Sequence, residues 1–456
     1  MVPEQPRILI LGAGPAGLGA AWRLQELGYD HWDLFEADSH AGGLSASFRD
    51  AQGFVWDLGV HVLHSHYPYL DRLLDQIMPG AVPEHVRDSC IWLKDQFVPY
   101  PLQSHIGHLT AEDRQRCIAG LQEAIRINDR TTPENFERWI VQQFGRGIAE
   151  IFMFPYNRKV WACEPKDMGV QWIGERVARV DPAELLREAQ QRSTHAWGPN
   201  AVFRYPRQGG IGAIWNAVFE RLNQNKVHLN RRVVRIDHAK RIVTFADGST
   251  LGYDKLISTI PLDRLIASLE GSLGLEQYSE QLRYSSLHAV GLGLTGQAPQ
   301  GWKTKSWVYF PQEDLIFQRI TVISSYAPQS ANDPNGQWLL QAEVTEPRGT
   351  ALDPSQVVAQ TIAGLKDVGV IPSESDILST FHRRIEYAYP TPLKTLPGVL
   401  GQILPALEQW GIFSRGRFGA WRYEIANMDH CFTQGVEVAN RIILSEPEQT
   451  LKSREQ

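Results

Sequence analysis

RILILGAGPAG, residues Arg7 to Gly17, read together with Glu36, decides the fold. Ile8 to Leu11 is a short apolar run of the kind a parallel sheet buries on both faces. It passes into Gly12-x-Gly14-x-x-Gly17 and then an apolar helical pattern through Leu18, Ala21, Trp22 and Leu24. Gly12 permits the tight turn, Gly14 lets the backbone close on a pyrophosphate, and Gly17 lets helix and strand pack closely. Amides freed at the helix start hold the anion. A second apolar strand, Trp32 to Phe35, delivers Glu36 nineteen residues after Gly17, where a carboxylate accepts hydrogen bonds from a ribose. The glycines alone would suit an ordinary turn. Strand, loop, helix, strand and acid together specify a dinucleotide-binding unit.

Behind the acid stands a glycine doublet, Gly42-Gly43. It resembles the doublet of the flavoprotein group that holds amine oxidases and protoporphyrinogen oxidase, where the chain passes close to the flavin's phosphates and ribityl chain. That resemblance implies FAD.

At 456 residues the chain is long enough for two or three domains. A net charge of −6 excludes nucleic acid as the main partner, so an anionic ligand must be met by a few local arginines. Cys90, Cys117, Cys163 and Cys431 form no CxxC pair, which speaks against disulfides and structural zinc and for a reducing cytoplasm. No metal site is expected. The start MVPEQPR lacks the features of a signal peptide, and no run approaches the ~18 apolar residues of a membrane span. Membrane insertion is not expected, and a homo-oligomer is compatible with the sequence.

The fold expected is α/β: a discontinuous Rossmann-like FAD-binding domain with an inserted helical domain and a mixed β-sheet substrate domain. Residues 1–103, 201–262 and 412–444 make the three parts of the FAD-binding domain. Residues 104–200 form the helical domain, 263–411 the mixed-sheet domain, and 445–456 a loose tail. Within these, 67–78 reads as a helix, Thr110-Ala-Glu-Asp113 as a capping-box start and Thr132-Pro133 as the opening of another helix. A third helix begins at 148–153, and a further one runs from 212 to 224. Strands are expected at 227–236, 242–246 and Lys255–Ile260. The strand from Phe54 delivers His61 to the sheet's binding edge, where it could meet a flavin or serve as a structural histidine.

Longer strings resemble the UDP-galactopyranose mutase family, and its eukaryotic, fungal-type branch more than the bacterial one. They are VPYPLQ at 98–103, FMFPYNRKVW at 152–161, GERV at 174–177, WGPN at 197–200, WVYFP at 307–311, YPTP at 389–392 and GRFGAWRYEIANMDH at 416–430. The matches keep their order across almost the whole chain. The resemblance implies a redox-neutral isomerase active only with reduced FAD, whose N5 attacks the anomeric carbon of a UDP-sugar. UDP-galactopyranose and UDP-galactofuranose would be the substrates. NADPH is compatible as the reductant.

By that resemblance Arg176 and Arg319 grip the leaving diphosphate, a task suited to a permanently charged, forked guanidinium. Tyr309, Tyr326, Tyr389 and Tyr423 close on the same group. Tyr100, Gln103, Phe152, Asn157 and Trp161 form the uridine pocket, and Asn200 lies on a loop over the sugar. His61 and Arg417, both counted with the catalytic residues, stand beside the flavin with Asn427. Gly12, Gly14, Gly17, Glu36, Gly42, Gly43, Gly59, Val60, Val234 and Met428 complete the FAD contacts. Without the resemblance each arginine reads as a surface ion pair and each tyrosine as a core aromatic. Three departures stand out: Gly59-Val60-His61 where the family has Gly-Gly-His, His64 in place of phenylalanine, and Phe154 in place of arginine. The alternatives are an oxidase of the amine oxidase or protoporphyrinogen oxidase type, a mutase for another nucleotide sugar, and a non-catalytic flavin- or nucleotide-binding protein.

Overall fold

The computed structural model describes residues 5–129, 131–174, 176–177, 181–189, 201–271 and 274–452. Ile8–Leu11, buried along its whole length, is the middle strand of a five-stranded parallel sheet. It pairs on one side with Lys255–Ser258, which pairs in turn with Ile412–Ser414. On the other side stand Trp32–Phe35 and then Val227–His228. Three distant stretches of chain thus complete one sheet, as a discontinuous dinucleotide domain requires. The helix Pro15–Glu26 lies against the long helix Met428–Leu444. They touch so closely that a Cβ on Gly435 would stand 2.0 Å from the Ala16 carbonyl oxygen.

A second sheet, of seven strands, runs in the order Ile377–Pro390, Tyr284–Thr295, Gln337–Pro347, Arg319–Thr321, Trp307–Tyr309, Ser89–Leu93 and Gln96–Pro99. It is mixed because Trp307–Tyr309 runs parallel to Ser89–Leu93 while its other pairings are antiparallel. Its last two strands precede residue 103, so part of the stretch assigned to the FAD domain belongs to the substrate-side sheet. Side chains alternate across a strand, and on one face the register sets Tyr309, Arg319 and Glu343 side by side on three neighbouring strands.

The inserted helices Ala111–Ile127, Phe136–Ile148 and Phe154–Trp161 pack around Ile118, Leu121, Ile140 and Phe144. Thr110 accepts the Asp113 amide and donates its hydroxyl to the Asp113 carboxylate, closing the expected cap. The next helix starts at Phe136, later than Thr132-Pro133, because Asn135 takes the Arg138 amide at 2.9 Å and caps it there. A wider turn, Ala149–Met153, joins it to the third.

Further corrections have local causes. The helix expected over 212–224 is Gly212–Phe219, and Asn223 then caps a separate short turn. The strand expected over 227–236 is two strands in different sheets, split where Asn230 adopts a left-handed conformation (φ 57°). Lys255–Ile260 keeps strand geometry only to Ser258. The loose tail is anchored: Arg415, 1% exposed, donates from Nε and Nη2 to both carboxylate oxygens of Glu448 at 2.5 and 2.6 Å. All four cysteines are free.

Candidate active site

The loop after Ile8–Leu11 turns at Gly12 (φ 101°), and Gly17 faces it so closely that a Cβ there would sit 1.8 Å from the Gly12 carbonyl oxygen. Gly14 precedes the helix without a side-chain cap, leaving first-turn amides directed at the adjoining cavity. Glu36 accepts the amides of Ala13 at 2.6 Å and Asp38 at 2.9 Å, which fixes its carboxylate at the rim of the same cavity. Gly42 donates to the Ala13 carbonyl at 2.9 Å and brings Gly43 opposite Gly14. Gly12, Gly14, Glu36, Gly43 and Val234 line this end. Gly17 and Gly42 act from behind it.

The cavity is about 1150 Å³ and runs from this cradle, between the two sheets, to the inserted helices. Val60, His61, Arg417, Asn427 and Met428 line its middle. Arg417 donates to the carbonyls of Ala388 and Ala426, so backbone holds it in place. His61 is half-buried in the cavity wall, and burial together with the nearby charges of Arg417 and Arg319 pushes its pKa down to about 3. Its imidazole is therefore neutral at ordinary pH. Gly59 lines a small recess next door with His61, Glu343 and Tyr389. A shape-matched backbone cradle, an acid at ribose position and a neutral histidine in the middle fit FAD.

At the far end, Arg176 donates from Nη1 to Asn427 Oδ1 at 2.7 Å and from Nη2 to the carbonyls of Tyr423 and Glu424. Its guanidinium lies 5.2 Å from the centre of the Tyr423 ring. Arg319, on the seven-stranded sheet, lines the same cavity. Burial works against the Arg319 charge, but the Glu343 carboxylate together with Tyr389, Tyr309 and Tyr156 outweighs it and holds the pKa well above the ordinary arginine value. Tyr100, Tyr309 and Tyr389 also line the wall, and burial raises all three phenol pKa values, so they remain hydrogen-bond donors. Beyond them Asn157 donates to the Met153 carbonyl and accepts the Trp161 indole at 3.0 Å. Phe152 and Gln103 complete that end, together with Tyr156, stacked on Phe152 at 5.1 Å.

Tyr326 does not reach the wall. It is 7% exposed, packed against Phe203 and Tyr205, and its hydroxyl is buried without a partner among the described residues. Asn200 lies outside the described residues. His64 does line the cavity, donating from Nδ1 to the Val202 carbonyl, with burial lowering its pKa to about 4. Phe154 sits instead among the inserted helices, away from the lining.

Sequence reasoning missed Tyr156, Trp172, Thr321 and Glu343, all on the wall. For Glu343 the sequence signal was weak, because the strand Gln337–Pro347 also carries Gln341, Thr345 and a second acid, Glu346. Among the described residues, His66, Asp429 and His430 alone bring three potential metal ligands within 4.8 Å. Each Asp429 oxygen is already taken by one imidazole Nδ1, at 2.7 and 3.0 Å, a pairing that ties the 61–66 segment to the last helix.

The cradle and the cavity it opens into define a flavoprotein. Residues 15–443 match the family described as flavin containing amine oxidoreductase. A solved structure of reduced UDP-galactopyranose mutase is similar over 98% of this chain and 96% of its own, at 40% identity and a TM-score of 0.95. The chain therefore belongs to the flavin-containing amine oxidoreductase family and, within it, to the UDP-galactopyranose mutase branch. Protoporphyrinogen oxidase 2 of Arabidopsis thaliana is 35% identical over 260 residues, 51% of this chain, and the match spans half of that relative's length. A putative protoporphyrinogen oxidase from an Exiguobacterium species shares the fold, with a TM-score of 0.74 at 17% identity. Among the described residues no helix is long and apolar enough to cross a membrane.

Proposed function

We propose that the protein interconverts UDP-galactopyranose and UDP-galactofuranose with reduced FAD, without net redox change. The observation that carries this is that Arg176 and Arg319 both line the one cavity that also holds the dinucleotide cradle. Bound and reduced, FAD would supply an electron-rich N5 that displaces the nucleoside diphosphate from the anomeric carbon and later returns the sugar. The chain's own part is electrostatic. Arg176 and Arg319 meet the charge gathered on the departing diphosphate, and the hydroxyls of Tyr309 and Tyr423 donate to its oxygens. Tyr100, Phe152 and Tyr156 give the base an aromatic wall, with Asn157 and Gln103 at its edge. Neutral His61 can accept or donate a hydrogen bond without adding a charge beside the ring.

An oxidase of the kind suggested by the protoporphyrinogen oxidase match would be served by an apolar tunnel. Two arginines and several phenols on the wall favour a phosphorylated substrate instead. NADPH is the reductant we propose for the cell, and stopped-flow bleaching of the bound flavin tests it. Product analysis with a panel of nucleotide sugars over chemically reduced protein tests the substrate. UDP-galactose forms should turn over, and turnover of other nucleotide sugars alone would overturn that assignment.

A further inference from the structure

Glu343 is a carboxylate at 1% exposure on the wall of a cavity that we read as receiving a diphosphate. An anion there repels the ligand, so its presence needs a reason. Its contacts supply one. Cross-strand register sets it opposite Arg319, whose Nη2 donates to Oε1 at 2.5 Å. The same oxygen accepts the Val60 amide at 3.3 Å, on the turn beside the flavin cradle, and Oε2 accepts the Tyr389 hydroxyl at 3.4 Å. Arg319 Nε, meanwhile, is buried with no partner among the described residues. The Nη2 edge of the guanidinium is thus pinned by the carboxylate, while Nε is closed off from the cavity.

We infer that Glu343 is a positioning residue: it fixes the pose of Arg319 and Tyr389 relative to the turn at Val60, at the expense of ground-state affinity for the diphosphate. A guanidinium on a long flexible side chain otherwise loses rotamer freedom each time it grips a ligand. Preset donors stabilise charge as it develops without reorganising at that moment. The carboxylate's repulsion falls on bound ligand throughout, so it costs affinity, whereas its orienting effect is felt in the transition state.

The inference rests on the proposed function, and the test separates the two. UDP is titrated calorimetrically into the oxidised holoprotein, wild type and Glu343→Gln, and kcat and KM are measured after reduction. The Gln variant keeps the shape and loses the charge. It should bind UDP about tenfold more tightly, as removal of a like charge at this range predicts, and its kcat should fall at least tenfold. Unchanged values, or UDP affinity and kcat falling together, would overturn the positioning role. Absence of UDP binding by the wild type would overturn the proposed substrate and the inference with it. If Glu343→Gln does not fold, Glu343→Asp decides. It keeps the charge but not the reach, so UDP affinity should stay near wild type while kcat drops, and an unchanged kcat would refute the role.

Discussion

Arg176 Nη1 and Asn427 Oδ1 meet at 2.7 Å across 251 positions of sequence. The contact joins the inserted helical segment to the N-terminal cap of the helix that closes the dinucleotide fold. The arginine's pose is therefore set by a residue that also lines the middle of the cavity. Arg176→Ala and Arg319→Ala should each keep the flavin and lose ~2–4 kcal/mol of transition-state stabilisation, the scale of one lost donor in such a site. That is a fall in kcat/KM of roughly 30- to 1000-fold. Steady-state assays beside the flavin absorbance check it, and unchanged turnover in either variant would remove that arginine from the site.

Gly17→Ala should abolish FAD retention. Its Cβ would fall 1.8 Å from the Gly12 carbonyl oxygen, inside the turn that shapes the phosphate cradle. The ratio of flavin to protein absorbance after purification measures this. A stoichiometric yellow variant would mean that the turn relaxes without consequence.

These first elements were legible because their chemistry is local. The glycines, the strand before them and Glu36 lie within thirty residues, and their spacing alone implies one loop geometry. The wall arginines were legible only through family strings, since nothing about Arg319 in isolation separates it from a surface cation. Glu343 escaped notice because its meaning lies in register: which strand stands opposite is decided by the whole seven-stranded sheet. Tyr326 shows the converse, a residue singled out by resemblance whose ring lies in the core behind the wall. Glu448 was assigned to a loose tail because its partner, Arg415, is far away in sequence.

Glu448→Ala should destabilise the fold by ~3 kcal/mol, the low end for breaking a buried ion pair, because Glu408 still reaches Arg415. Chemical denaturation followed by fluorescence measures it. A change below about 0.5 kcal/mol, ordinary for a surface substitution, would return the segment to the status of a tail.

Acid should weaken the fold partly through His61. Folded, its pKa is about 3, against 6.5 for an ordinary histidine. Below pH 6.5 the unfolded chain takes up a proton that the folded chain refuses, so this contribution is complete above that pH and is lost progressively as pH falls toward 3. His64, near 4, acts in the same sense. Asp57 acts in the opposite one: burial raises its pKa to about 6, so it favours the folded state as pH falls from there toward 3.8. His61→Asn should therefore flatten the decline of melting temperature between about pH 7 and about pH 4. A slope equal to that of the wild type would show that His61 titrates normally.

The central claim is that electron-rich flavin and a pair of arginines perform an isomerisation in one cavity. The most direct measurement is chromatography of UDP-galactofuranose incubated with the same preparation before and after chemical reduction under anaerobic conditions. The account predicts conversion to UDP-galactopyranose by the reduced protein alone, with the flavin still reduced at the end. Equal conversion by the oxidised protein, or oxidation of the flavin in step with product, would contradict it.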